Sequence, residues 1–144
     1  MEIPALTVEI SSADGTVLVV EDEETLRLAV SKMLRMKGFS VIEAIDGSAA
    51  VDLFRNHERE IAVVVLDMTL PRIDGPRVFA ELRRIKPGVK IIVTTAYSHE
   101  STLATFGGQQ PWGFIRKPYR INELLDLLRI ACSASGGMSD YAAR

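Results

Sequence analysis

Four apolar runs in this chain end on groups that could do chemistry. Asp67 follows Ile61-Ala62-Val63-Val64-Val65-Leu66. Glu21 and Asp22 follow Val17-Leu18-Val19-Val20. Thr95 closes Ile91-Ile92-Val93-Thr94, and Lys117 follows Phe114-Ile115-Arg116. A carboxylate at the end of a buried strand is costly unless water, a partner or a metal meets it. Three carboxylates drawn together repel, and one would normally take up a proton. The alternative is a cation. A hard ion such as Mg²⁺ takes one or two carboxylates, waters and phosphate oxygens. Lys117 adds a point charge suited to a carboxylate or a phosphoryl oxygen. Thr95 adds a hydroxyl, and Ala96 leaves room beside it. A nucleophile, a metal, a cation and a hydrogen-bond donor are the parts of phosphoryl transfer, here with a carboxylate as acceptor.

Each part alone has a plainer reading. Glu21-Asp22-Glu23-Glu24 suits a solvated helix start favoured by the helix dipole. A single Asp after a strand is commonly a turn residue. Thr94-Thr95 fits strand propensity, and Lys117-Pro118 fits an exposed turn. The weight lies in four such groups at four strand ends.

The elements that must position them alternate. Residues 16–21, 41–44, 61–66, 90–94 and 113–116 read as strands. Leu26, Ala29, Val30, Met33 and Leu34 recur at helical spacing, and Gly38 is a natural stop. Ala50, Leu53, Phe54 and His57 mark a second helix, with Asp46 or Ser48 as cap candidates. Val78, Phe79 and Leu82 mark a third, stopped by Pro87-Gly88. Residues 98–106 predict a weak fourth helix, with only Leu103 and Phe106 as its apolar face, ended by Gly107-Gly108. Ile121, Leu124, Leu125 and Leu128 mark the last. Five strand-helix units whose first, third and fourth strands are wholly apolar predict an α/β fold. It is a doubly wound parallel sheet with helices on both faces. Ligands in such folds bind beyond the carboxyl ends of the strands, where all four groups fall.

Bulk properties exclude several classes. A chain of 144 residues with 47% apolar and 25% charged residues is an ordinary globular domain. Its net charge of -2 makes no electrostatic case for nucleic acid or an anionic membrane. No apolar stretch approaches the ~20 residues that cross a bilayer, and no basic-then-apolar leader opens the chain. The lone Cys132 cannot form an internal disulfide, so a reducing, cytoplasmic location is expected. Residues 1–15 read as a linker or disordered lead, 16–132 as the domain and 133–144 as a flexible tail.

From Thr16 to Cys132 the chain resembles the receiver domain of two-component response regulators. The carrying pieces are Val17-Leu18-Val19-Val20-Glu21-Asp22-Glu23, Leu66-Asp67-Met68-Thr69-Leu70-Pro71 with Asp74-Gly75, Thr95-Ala96, and Lys117-Pro118-Tyr119. The resemblance implies a flavodoxin-like receiver fold of five strands in the order 2-1-3-4-5. It implies that Asp67 is the phosphoacceptor, and that Asp22, Asp67 and the backbone carbonyl of Thr69 ligate Mg²⁺ while Glu21 acts on the ion through water. It further implies that Thr95 and Lys117 contact the phosphoryl group, and that Thr95 and Phe114 form a two-state switch. Phosphate would come from a phosphohistidine on a histidine kinase or histidine phosphotransfer domain. Such a domain assists its own phosphorylation without being an enzyme in its own right.

The chain departs from that pattern in three places. Glu21 stands where many members have Asp. Phe114 lacks the hydroxyl of the commoner tyrosine. Gly107-Gly108-Gln109-Gln110-Pro111-Trp112-Gly113 replaces the usual end of the fourth helix, which weakens inference of the common dimer face and leaves the oligomeric state open. Trp112 reads either as a cover over the sheet edge or as a partner contact. Flavin or dinucleotide binding needs a glycine- or hydroxyl-rich loop after the first strand, and Glu21–Glu24 would repel a phosphate there. A dehalogenase-type phosphatase needs a second Asp where Thr69 stands. The remaining alternative is a degenerate receiver acting as a phosphorylation-independent interaction module. The linker-like Ser11–Gly15 suggests the receiver of a hybrid sensor kinase; a stand-alone regulator is the other context.

Overall fold

A computed structural model describes residues 15–69 and 75–133. Most of the expected lead and tail, and Leu70, Pro71 and Asp74 of the loop after Asp67, lie outside the described residues.

Five strands form one sheet: β1 (Thr16–Val20), β2 (Ser40–Ala44), β3 (Ile61–Asp67), β4 (Lys90–Thr95) and β5 (Gly113–Arg116). Their order is β2-β1-β3-β4-β5 and every pairing is parallel, as expected. The continuous apolar runs are the three inner strands, because only those are covered on both faces.

The helices are α1 (Glu24–Met36), α2 (Gly47–Asn56), α3 (Gly75–Ile85), α4 (His99–Leu103) and α5 (Ile121–Ser133). Of the two cap candidates for α2, Asp46 is the one used; its Oδ1 accepts from the amide of Ala49 at 2.8 Å. α1 stops at Gly38, whose φ of +99° suits glycine.

Strand alternation divides the core into two layers. Val17, Val19, Val63, Val65 and Ile92 pack with Leu34, Leu124 and Leu128 of α1 and α5. Leu18, Val20, Val64, Leu66 and Val93 pack with Phe54 and Phe79 of α2 and α3. Fully burying one such side chain stabilises the fold by about 1.5–3 kcal/mol.

The fourth unit differs from the expected helix over 98–106. α4 has 5 residues and passes into a 3-10 turn over Ala104–Phe106. Ser98 caps it, and the Thr102 hydroxyl donates back to the Ser98 carbonyl at 2.9 Å. With so few apolar positions, packing cannot extend it before Gly107 takes a left-handed φ of +60°. Phe106 instead anchors the turn on Phe79, ring centroids 4.4 Å apart. Trp112 is only 6% exposed and packs in the α1/α5 layer, so it is core cover and not an exposed partner contact.

Candidate functional site

The parallel register assembles the site. Val20 pairs with Leu66, so Glu21 and Asp67 follow side by side at the ends of β1 and β3. Asp67 pairs with Thr94, and Thr95 with Arg116, which brings Lys117 to the same edge. Backbone bonds prolong the pairing past the strands: Glu21 N–H donates to Ala44 O at 3.1 Å and Lys117 N–H to Thr95 O at 2.7 Å.

Alternation also sorts the groups by face. Asp67 continues the Val63–Val65 side and Glu21 the Val17–Val19 side, both on the α1/α5 layer, and Lys117 continues the side of Ile115. Thr95 and Phe114 fall on the opposite side with Val93. The site therefore straddles the sheet edge, with acids and cation on one side and hydroxyl and ring on the other.

Asp67 is 2% exposed and Glu21 6%. Carboxylate oxygens of Glu21, Asp22 and Asp67 lie within 4.8 Å of one another. The Lys117 ammonium donates to Glu21 Oε1 at 3.1 Å and stands 3.3 Å from Asp67 Oδ2. The other oxygen, Asp67 Oδ1, accepts from the Thr69 amide at 3.1 Å and the Thr69 hydroxyl at 2.8 Å. Burial, then the charge of Asp67, pushes the Glu21 carboxyl up to about 6 despite Lys117. Burial pulls the Lys117 ammonium down, but Asp67 and Glu21 together outweigh it, and its pKa ends above the ordinary lysine value. Three carboxylates against one ammonium leave the cluster short of positive charge. Oxygen donors at that spacing, one of them on exposed Asp22, are the set a hard divalent ion takes.

Thr95 is fully buried, and its Oγ1 accepts from the Tyr97 amide at 3.1 Å. Phe114 is half-buried and stacks on His99, ring centroids 4.4 Å apart at 37°. Beside the cluster an open, mostly apolar hollow of about 390 Å³ is lined by Glu23, Leu26, Ala96, Lys117, Pro118 and Tyr119.

Two neighbours, Arg27 and His99, escaped sequence reading. Arg27 is buried beneath the acids, its Nη1 donating to the Glu21 carbonyl at 3.1 Å and its Nε to Glu43 at 3.2 Å. Its position four residues after Glu23 and three before Val30, on the inward stripe of α1, was the available signal. Tyr119 is half-buried near the cluster; burial, then Glu21 and Asp67, pushes its phenol up to about 12, so it stays neutral. His99, the first residue of α4, carries no sequence signal that couples it to Phe114.

A doubly wound parallel sheet with a buried, lysine-paired aspartate among carboxylates at its carboxyl edge defines a signal-receiver class of α/β domain. Residues 17–129 match the response regulator receiver domain family, and the chain belongs to it: it is a receiver domain of two-component signalling. It is 32% identical over 113 residues to the sensor kinase CckA of Brucella abortus (strain 2308), covering 78% of this chain and 12% of that protein. It is 32% identical over 120 residues to the transcriptional regulatory protein PdtaR of Mycobacterium tuberculosis (strain CDC 1551 / Oshkosh), covering 81% and 56%. The chain thus spans only part of the length of these curated relatives. A solved receiver domain from Clostridium thermocellum matches with a TM-score of 0.75 at 25% identity, covering 82% of this chain and 94% of that one. Among the described residues no helix is long and apolar enough to cross a membrane.

Proposed function

We propose that Asp67 accepts a phosphoryl group from a phosphohistidine on a histidine kinase or histidine phosphotransfer partner and thereby switches the domain between two states. The observation that carries this reading is the buried Asp67 carboxylate, bonded by Lys117 and Thr69 and crowded by Glu21 and Asp22. A carboxylate oxygen of Asp67 attacks phosphorus as the P–N bond breaks, and the electron pair leaves with the imidazole nitrogen. Asp22, Asp67 and the Thr69 carbonyl would hold Mg²⁺, with Glu21 reaching it through water. When bound, the ion neutralises charge that both acids and phosphate bring to one place. Lys117 holds the acceptor and then pairs with a phosphoryl oxygen; Thr95 turns from the Tyr97 amide to donate to another. Phe114 moves into space that Thr95 leaves.

The hollow beside Lys117 and Tyr119 supports approach of a partner from that side. The domain is a phosphoacceptor and not a turnover catalyst, works in the cytoplasm, spans residues 16–132 and does not itself bind nucleic acid. It serves either a hybrid sensor kinase or a separate regulator.

Acetyl phosphate with Mg²⁺ tests the assignment. Intact-mass measurement should show one added phosphoryl group in the wild type and none in Asp67→Ala. Asp22→Ala should lose Mg²⁺ binding together with the label. Label persisting in Asp67→Ala removes the acceptor assignment.

A further inference from the structure

We infer that His99 is a positioning residue of the switch: its ring, stacked on Phe114, holds the start of α4 in place and opposes movement of Thr95 toward Asp67. This rests on the acceptor role proposed for Asp67.

The linkage is short and continuous. Thr95 Oγ1 is bonded to the amide of Tyr97, Ser98 caps α4, and His99 is the first residue of that helix. For the Thr95 hydroxyl to turn toward Asp67, the Tyr97 bond must break. The three-residue link to His99 is then free to shift. Phe114 lies opposite Val93 in the β4–β5 ladder, on the same face as Thr95, so the ring under His99 is the one beside the moving hydroxyl.

The two ends of the α4 unit are held unequally. At the far end Phe106 packs on Phe79. Arg83 lies over the Phe79 ring at 4.8 Å and donates to the Gln110 carbonyl at 2.7 Å. At the near end the aromatic contact is the stack between exposed His99 and half-buried Phe114. A one-turn helix pinned at its back moves first at its front. An aromatic pair of this kind biases a two-state equilibrium by about two- to tenfold. Because His99 is exposed, truncating it leaves no internal cavity, and a purely structural role would leave ligand affinity alone.

Fluoroberyllate with Mg²⁺, a phosphoryl mimic, is titrated into the wild type, His99→Ala, His99→Phe, Phe114→Leu and the His99→Ala/Phe114→Leu double variant. Fluorescence of Trp112, the chain's single tryptophan, two residues before Phe114, is the readout. Expected are an affinity about two- to tenfold tighter in His99→Ala, near wild type in His99→Phe, and no effect of His99→Ala in the Phe114→Leu background. Mg²⁺ affinity without fluoroberyllate stays unchanged in all of them. An unchanged or weaker affinity in His99→Ala overturns the inference, as does an equal effect without the Phe114 ring. A wild type that binds no fluoroberyllate overturns the acceptor reading first, and the inference with it.

Discussion

One face of the sheet is covered by α1 and α5, 13 residues each, laid along β1, β3 and β4. The other is covered by α2 and α3, of 10 and 11 residues, and by a fourth helix of 5. The first face carries Glu21, Asp67 and Lys117; the second carries Thr95 and Phe114. The charged cluster stands on the layer of the two longer helices, where burial and opposed charges hold geometry. Thr95 and Phe114 stand where one unit is a single turn resting on ring contacts. On the function proposed above, a phosphoryl site must stay fixed while its reporter moves, and the one-turn fourth helix suits the moving part.

Paired truncations probe this contrast most strongly. Leu128→Ala, fully buried under α5, should cost about 2–5 kcal/mol. Leu103→Ala, half-buried in α4, should cost about 1 kcal/mol. Equal shifts in urea midpoint would break the comparison.

Gly75→Ala is next. A Cβ there would lie 2.6 Å from the Met68 Cα and 2.7 Å from its sulfur, against the residue that follows Asp67. We expect a loss of about 1–3 kcal/mol together with weaker acetyl phosphate labelling. Gly113→Ala meets Ile92 Cγ1 at 3.3 Å, a side chain that can give, and should cost less.

Third is a pH effect confined to the acid face. The folded-state pKa of Glu21, about 6, lies above its ordinary 4.5. A raised carboxyl binds its proton more tightly when folded. Its contribution is therefore fully present below about 4.5 and is lost as pH rises through about 6. The ion-free protein should gain on the order of 1–2 kcal/mol between neutral and mildly acid pH, and Glu21→Gln should flatten that slope in thermal melts. Apparent Mg²⁺ affinity should move the other way, weakening as pH falls through about 6, because proton and ion compete for one carboxylate.

The smallest contrast is in the caps. Asp46→Ala should destabilise by about 1 kcal/mol, since Asp46 Oδ1 accepts the Ala49 amide at the start of α2. Glu23→Ala should do almost nothing, because Glu23 makes no side-chain cap bond at the start of the longer α1. Matching melting temperatures for these two variants would overturn Asp46 as the working cap of α2.

Most of the fold and the acid cluster could be read from the chain. Asp67, Glu21, Asp22, Thr95 and Lys117 declare themselves because charge or hydroxyl at a strand end is a local anomaly. Arg27 does not, since an arginine in a helix beginning Glu24-Thr25-Leu26 looks solvated until its contacts with the Glu21 carbonyl and Glu43 are seen. Trp112 left two readings open because burial of a loop tryptophan depends on what folds over it. His99 and Phe114 are fifteen residues apart, on separate elements, and no periodicity couples them.

The order of elements and the chemical inventory are local properties of the chain, since hydrophobic period, caps and strand-end residues act over a few positions. Which groups share a face, and which of them meet, is set by the packed sheet. Lys117 and Glu21 are 96 positions apart and bond because the crossovers set two strands, β3 and β4, between β1 and β5, all ending at one edge. Register and alternation, properties of paired strands, then put the acids and Lys117 on one side and Thr95 and Phe114 on the other.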